Sequence, residues 1–247
     1  MPVRIGLIVP SSNTTMETEL PRLFAGLKGA GTDFTFHSSR VKMRSVTHNE
    51  LTRMVHASAV AAEHLADMHP DAVAYACLVA VMSQGANYHE QAERELSEAM
   101  RAGGADTRVL SSAGALLDGI SALGARRVAL VAPYLKPLTQ SVVGYLEAAG
   151  TEVVDWASLE VSDNLTVGCL PGERVLEAAR TVSLDGAEAL VLSACVQMPS
   201  LDLIEQVEQE TGLPVLTAAT STAYGLMRLL GLPTRVPSAG ALLDGTH

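Results

Sequence analysis

The chain has 247 residues, enough for one large α/β domain or two compact lobes. Its net charge of -10, with no cluster of Lys and Arg interleaved with aromatics, excludes a nucleic-acid surface. Three cysteines outside any Cys-x-x-Cys or Cys/His array exclude a disulfide framework and a structural zinc site, and reduced thiols are expected.

The opening MPVRIGLIVP runs directly into a strand, Arg4 to Pro10, rather than through a signal peptide. In SSNTTMETELPRLF, Ser and Thr offer N-caps to a first helix whose first turn carries Glu17 and Glu19. TDFTFHS from Thr32 alternates as a strand; the loop RVKMRSVTHNE follows, and ELTRMVHASAVAAEHLADM has helical periodicity up to His69 and Pro70. The apolar run AVAYACLVAV from Ala72 reads as a buried strand carrying Cys77. NYHEQAERELSEAMRAG predicts an amphipathic helix ending at Gly103 and Gly104, and TRVL with SSAGALLDGISALG predicts one more strand and helix.

From Arg126 the pattern begins again. RRVALVAP is a strand, YLKPLTQSVVGYLEAAG a helix and TEVVDWASLEV a strand, followed by the loop SDNLTVGCLPG. GERVLEAARTVSL, SLDLIEQVEQETG and AATSTAYGLMRLLG predict helices around the strands ALVLSAC and LPVLT. Strands alternating with helices imply right-handed crossovers and two parallel sheets, with 48% hydrophobic and only 4% aromatic residues to build them. Pro133 follows Pro10 by 123 positions, Cys195 follows Cys77 by 118 and Val215 follows Val109 by 106, so the offset drifts as loop deletions would make it. The octapeptide SAGALLDG occurs at Ser112 and again at Ser238, out of this register, and reads as a coincidence or a covering tail.

In parallel α/β sheets ligands bind beyond the carboxyl ends of the strands. That rule selects Ser11, Ser12 and Asn13 after the first strand, Tyr134 after its counterpart, and Cys77 and Cys195 at equivalent places in the two halves. If a pseudo-twofold axis relates the halves, both sets meet in one cleft. A single buried cysteine is ordinarily a small apolar filler, but a matched pair suits a two-sided acid/base or nucleophile/acid site. Leu78 and Val79, and Val196 and Gln197, follow the two cysteines and can offer backbone N–H groups to a carboxylate or an enolate. Asn13 reads equally as a helix cap, Tyr134 as a packing ring and Asn164 as a turn residue. Cys169 has no counterpart and reads as structural. None of the seven histidines falls in a metal or dyad pattern, and no glycine-rich nucleotide motif is present.

The strings RIGLIVPSSNTTMETELP, YACLVAVM, VAPYLKPL, VSDNLTVGCLPGE, LSACVQMPSL and PVLTAATSTAYG together resemble the maleate cis-trans isomerases of the aspartate/glutamate racemase superfamily, over nearly the whole chain. The resemblance implies two Rossmann-like lobes with four-stranded parallel sheets, related by a pseudo-twofold axis, with the active site between them. The lobes are expected over residues 1–112 and 113–217, with a C-terminal helix over about residues 218–247 returning to the first. It further implies a homodimer with maleate as its small dicarboxylate substrate, and no metal or organic cofactor. The charge balance leaves no nucleic-acid partner, and apolar runs too short to span a bilayer make a soluble cytoplasmic protein with no membrane partner the expectation. Carried over by motif, Cys77 is the nucleophile and Cys195 the proton donor and acceptor. Asn13, Ser12, Tyr134 and Asn164 hold the substrate, with backbone donors at Leu78, Val79, Val196 and Gln197.

Maleate cannot rotate about its double bond, so the expected chemistry is attack of a Cys77 thiolate on C2 with protonation of C3 by Cys195, rotation of the succinyl-cysteine adduct, and elimination of fumarate. This needs opposite protonation states of two thiols that ordinarily titrate near ~8.5, and helix N-termini and N–H groups are expected to lower the Cys77 value. A two-cysteine racemase of aspartate, glutamate or hydantoins uses nearly the same apparatus. A small-molecule sensor that has lost catalysis is the alternative from a different class. The loops around Lys42 to His48 and Ser162 to Gly172 are candidates for shielding the adduct.

Overall fold

The computed structural model describes residues 1–27 and 32–247. The first half comprises β1 (Val3–Pro10), α1 (Met16–Ala25), β2 (Phe34–Val41), α2 (His48–Ala66), β3 (Ala72–Tyr75), α3 (Leu78–Met82), α4 (Tyr88–Ala102), β4 (Val109–Ser111) and α5 (Ser112–Ala122). The second comprises β5 (Arg127–Ala132), α6 (Lys136–Ala148), β6 (Glu152–Ser158), α7 (Asn164–Gly168), α8 (Gly172–Thr181), β7 (Ala189–Ser193), α9 (Ile204–Thr211), β8 (Val215–Thr217) and α10 (Ala218–Leu229). Single 3-10 turns at Leu201–Leu203 and Ala241–Leu243 complete it.

Two separate four-stranded sheets form, ordered β2-β1-β3-β4 and β6-β5-β7-β8, and every pairing is parallel. The two halves therefore share one strand order, as the repeated pattern implies. Helices cover both faces of each sheet, which is why Ile5, Leu7, Ile8 and Val9, and Val128, Leu130 and Val131, are all buried rather than alternating. Among the described residues no helix is long and apolar enough to cross a membrane.

Two elements differ from the sequence expectation. The run AVAYACLVAV is a strand only to Tyr75; Leu78–Met82 is a fully buried helical turn and a half, with Cys77 at its N-cap. A short apolar run carries no period that separates strand from buried helix, and here pairing ends where β4 ends, at Tyr75 opposite Ser111. The loop SDNLTVGCLPG contains a helix, α7, whose N-cap Asp163 accepts from the Thr166 N–H at 2.7 Å.

Helix α10 packs on α5 and α1, and Thr222 Oγ1 donates to Ser112 Oγ at 2.8 Å. The segment after it lies against β8, with Leu242 and Leu243 buried and Glu208 Oε1 accepting from the Val215 and Ala241 N–H groups at 2.9 and 2.8 Å. The second SAGALLDG copy is part of this covering segment.

Candidate active site

Cys77 lies two residues beyond the end of β3 and Cys195 two residues beyond the end of β7, so the symmetry of the sheets brings the thiols to equivalent positions. Both are buried. Cys77 opens α3, and α3 packs on α6 of the other half, so this cysteine faces across the interface between the lobes. The amides of Leu78 and Val79 begin α3, where no preceding helical carbonyl exists to accept from them. They form a donor pair next to the sulfur.

The electrostatics of the two thiols differ. Burial pushes the Cys77 thiol up to about 12, against a smaller opposing effect of the Ala80 N–H, and a charge on Cys195 would raise it further. The expectation that local dipoles lower the Cys77 value is therefore not met: a five-residue helix supplies too little to offset complete desolvation. Burial also raises Cys195, but the Tyr134 phenol and the N–H groups of Gln197 and Met198 oppose it there. The Gln197 N–H reaches the Cys195 sulfur at 3.3 Å. The surroundings thus accept charge more readily at Cys195, and mutual repulsion opposes ionising both sulfurs together.

Tyr134 is buried, its hydroxyl donating to the Ala194 carbonyl at 3.1 Å beside the Cys195 sulfur. Burial holds its ionisation well above the ordinary phenol range, so it stays a donor. Asn13 is buried and has two roles. Its Oδ1 accepts from the Thr15 and Met16 N–H groups at 3.2 and 3.0 Å, capping the entry to α1, while Nδ2 donates to the Val196 carbonyl at 3.1 Å in the other half. Asn164 Nδ2 donates to Ser12 Oγ at 2.9 Å, and Ser12 Oγ donates to the Met43 carbonyl at 2.6 Å. The cap and the bonds that cross between the halves coexist in the same side chains.

Ser12, Asn13, Asn164, Val196 and Gln197 thus meet in one network that crosses the interface, next to Cys195, while Leu78 and Val79 adjoin Cys77. The two long loops also meet one another. Ser45 and Asp163 form an antiparallel bridge, Val46 N donates to the Ser162 carbonyl at 3.2 Å and Asn164 N to the Arg44 carbonyl at 3.3 Å. Glu50 Oε2 accepts from Arg44 N and Ser45 N at 2.6 and 2.9 Å, bonds that hold its carboxyl below the ordinary value.

Sequence reasoning did not find the hydroxyl and carboxylate staples around this network. Thr15 Oγ1 donates to the Gln197 carbonyl at 2.7 Å, and Glu19 Oε1 accepts from the Ser200 and Leu201 N–H groups at 2.9 and 3.0 Å. Their partners are about 180 positions away, so no local signal identifies them. Cys169 is exposed at the C-terminal end of α7 rather than packed. Among the described residues no group of three or more His, Cys, Asp or Glu side chains gathers to hold a metal ion.

Comparison with known proteins agrees with this architecture. The family described as arylmalonate decarboxylase matches residues 5–243. Over 246 residues the chain is 51% identical to a maleate isomerase of Geobacillus stearothermophilus, covering 99% of this chain and 98% of that protein. A cysteine-to-alanine variant of a Pseudomonas putida maleate isomerase, solved with maleate, superposes with a TM-score of 0.97 at 47% identity, covering 100% of this chain and 99% of the other. A cysteine-to-serine variant of the Nocardia farcinica maleate cis-trans isomerase, solved with a covalently bound succinylcysteine intermediate, gives 0.96 at 48% identity, covering 100% of both chains.

Proposed function

Because the chain belongs to the maleate isomerases within the arylmalonate decarboxylase family, we propose that its isomerisation of maleate to fumarate is carried by Cys77 as carbon nucleophile and Cys195 as proton handler. What supports Cys77 as the residue that meets the carbon is its place at the start of α3, beside the free Leu78 and Val79 amides and against the other half. The three groups that stabilise charge on the Cys195 sulfur, against one at Cys77, suit Cys195 to act as the base of the elimination.

In the reactive state the pair carries one proton, and attack requires it on Cys195, so the charge must pass to Cys77 against the preference of the two sulfurs' surroundings. The Cys77 sulfur attacks C2, the π electrons move toward C3 and its carboxylate, and Cys195 delivers the proton to C3. One S–C bond and one C–H bond replace the π bond. Rotation about the resulting C2–C3 single bond brings the carboxylates to opposite sides; Cys195 as thiolate then removes the C3 proton and the S–C bond breaks, returning the charge to Cys77. The N–H groups of Leu78, Val79, Val196 and Gln197, with Asn13, Ser12, Tyr134 and Asn164, hold the carboxylates and the developing charge. Neutral donors suit this task, since they stabilise charge as it forms.

We read the chain as two lobes, residues 1–112 and 113–217, with the C-terminal helix returning to the first. The packing of α10 on α1 supports that return, although the helix ends at Leu229 and the tail after it lies against β8 of the second lobe. A cytoplasmic homodimer completes the reading, and light scattering of the purified protein tests the oligomer.

The decisive experiment follows maleate by proton NMR without added metal or cofactor. Appearance of fumarate, and intact-mass detection in Cys195→Ala of one added maleic acid on Cys77, are the expected results. Absence of substrate mass from Cys77 in a variant that still binds maleate would overturn the covalent assignment. Exchange at the α carbon of aspartate in deuterated water, without maleate turnover, would favour a racemase instead.

A further inference from the structure

We propose that the side-chain amide of Gln197 is a positioning group for the isomerisation, holding in register the three segments that carry Cys195, Asn13 and Asn164. The proposal rests on the reading of those residues given above. Gln197 is buried, and every polar atom it has is used. Its Oε1 accepts from the Thr14 N–H at 2.9 Å, and its Nε2 donates to the Ser12 and Asn164 carbonyls, each at 3.0 Å. Its backbone N–H meets the Cys195 sulfur at 3.3 Å and its carbonyl accepts from Thr15 Oγ1 at 2.7 Å.

A planar amide offers one acceptor and two donors without charge, the set needed to face one N–H and two carbonyls at once. Asn carries the same group one methylene shorter. Glu has the shape but, when ionised, only acceptors. The cost of losing the amide is not confined to one bond, because Thr14 N, Ser12 O and Asn164 O would be left without it in a dry interface.

The symmetry of the lobes isolates this role. Gln197 lies two residues after Cys195, and the residue two after Cys77 is Val79, an apolar residue inside α3. The second half has no helix at that point: the chain from Ala194 to Ser200 is irregular, and the Gln197 side chain joins the lobes there. Gly168 shows how closely the amide is seated, since a Cβ at that position would overlap Gln197 Nε2 and lie 2.9 Å from Thr14 Oγ1 and 3.0 Å from Gln197 Cδ.

Two variants test the proposal from opposite sides. Gln197→Glu keeps volume and removes both donors. We expect kcat to fall about 10²-fold at pH 8, the loss that follows a displacement of ~1 Å in reacting groups. As pH falls toward ~6, protonation of the buried carboxyl restores one donor and part of the rate, a trend the parent lacks. Gly168→Ala leaves Gln197 intact but displaces its amide; we expect a kcat loss of about 10-fold together with a lowered Tm, since the added methyl overlaps the amide and weakens its bonds to Thr14, Ser12 and Asn164. Parental kcat and KM in Gly168→Ala, or a Gln197→Glu enzyme with parental kcat and an unchanged pH profile, would overturn the proposal. Should Gln197→Glu not fold, Gly168→Ala alone decides. Failure of the cysteine assignment is distinguishable: it shows as missing substrate mass on Cys77 in Cys195→Ala, whereas both variants here are read on maleate turnover.

Discussion

The Nδ2 of Asn13 donates to the carbonyl of Val196 at 3.1 Å, so a residue that caps a helix in one lobe is bonded to the residue that follows Cys195 in the other. Capping and site assembly can be separated by substitution. Asn13→Asp keeps the oxygen that receives the Thr15 and Met16 N–H groups but sets a buried carboxylate oxygen against the Val196 carbonyl, so its Tm should fall at neutral pH and recover in part as the carboxyl is protonated. It loses the donor and adds a negative charge facing a dianionic substrate, so kcat/KM should drop by about 10²-fold or more. Asn13→Ala should lose both properties, with a fall in Tm of about 2–4 °C for a cap contribution of ~1 kcal/mol. Thermal unfolding beside steady-state kinetics checks both variants.

Tyr134 should matter most in the second half of the cycle. Its hydroxyl favours charge on Cys195, and the elimination step proposed above uses Cys195 as the base. In Tyr134→Phe, kcat should fall about 10²-fold, as when a donor to a developing charge is removed. The succinyl adduct should then accumulate on Cys77 during turnover, which rapid acid quench and intact-mass measurement would detect. A slow variant with no adduct would place the phenol in the addition step instead.

Thiol chemistry should sort the three cysteines by burial. Cys169 is exposed whereas Cys77 and Cys195 are buried, so iodoacetamide at pH 7.5 should label one thiol quickly and the others only after denaturation. Alkaline stability follows from the same burial. The unfolded Cys77 thiol ionises near 9 and the folded one near about 12, so the unfolded state releases its proton first and stability falls as pH rises across that window. Cys77→Ala should flatten this decline, as followed by urea midpoints between pH 8.5 and 10.5.

Glu19 should behave as a misplaced charge. Burial raises its carboxyl above the ordinary value of 4.5, and its Oε2 and the neighbouring Ser200 Oγ are buried without partners. The folded state holds the proton more tightly than the unfolded one, so stability declines as pH rises from 4.5 through the folded value and is flat beyond it. Glu19→Gln keeps an acceptor for the Ser200 and Leu201 N–H groups and never ionises. Its Tm at pH 7.5 should exceed the parent's by a few degrees, about 2–4 °C per kcal/mol gained in a protein of this size, and the gap should narrow toward pH 5.

The alternation of strands and helices was legible because the buried strands are unbroken apolar runs such as RIGLIVP and RRVALVAP, closed by turn residues. Cys77 and Cys195 were legible because the repeat places them at matching strand ends. LVAV after Cys77 was not, since four buried apolar residues suit either conformation and tertiary packing chooses between them. Asn164 was out of reach of local pattern altogether. Its partner Ser12 is 152 positions away, and only the motif resemblance pointed to it. Glu19 was legible as an acid in a first helical turn, yet its bonds run to the start of a different helix in the other lobe.

The octapeptide SAGALLDG is one word with two meanings in the same molecule. At Ser112–Gly119 it is helical throughout, started by Ser111 Oγ accepting the Gly114 N–H at 3.0 Å; at Ser238–Gly245 it is a bent tail with positive φ at Ser238, Gly240 and Gly245. The copies even approach each other, since a Cβ on Gly119 would lie 3.1 Å from Leu242. Identical chemistry, at one temperature and in one solvent, adopts two shapes side by side. The protein thus contains its own control for how much of local conformation belongs to the local residues, and over these eight positions the neighbours decide it.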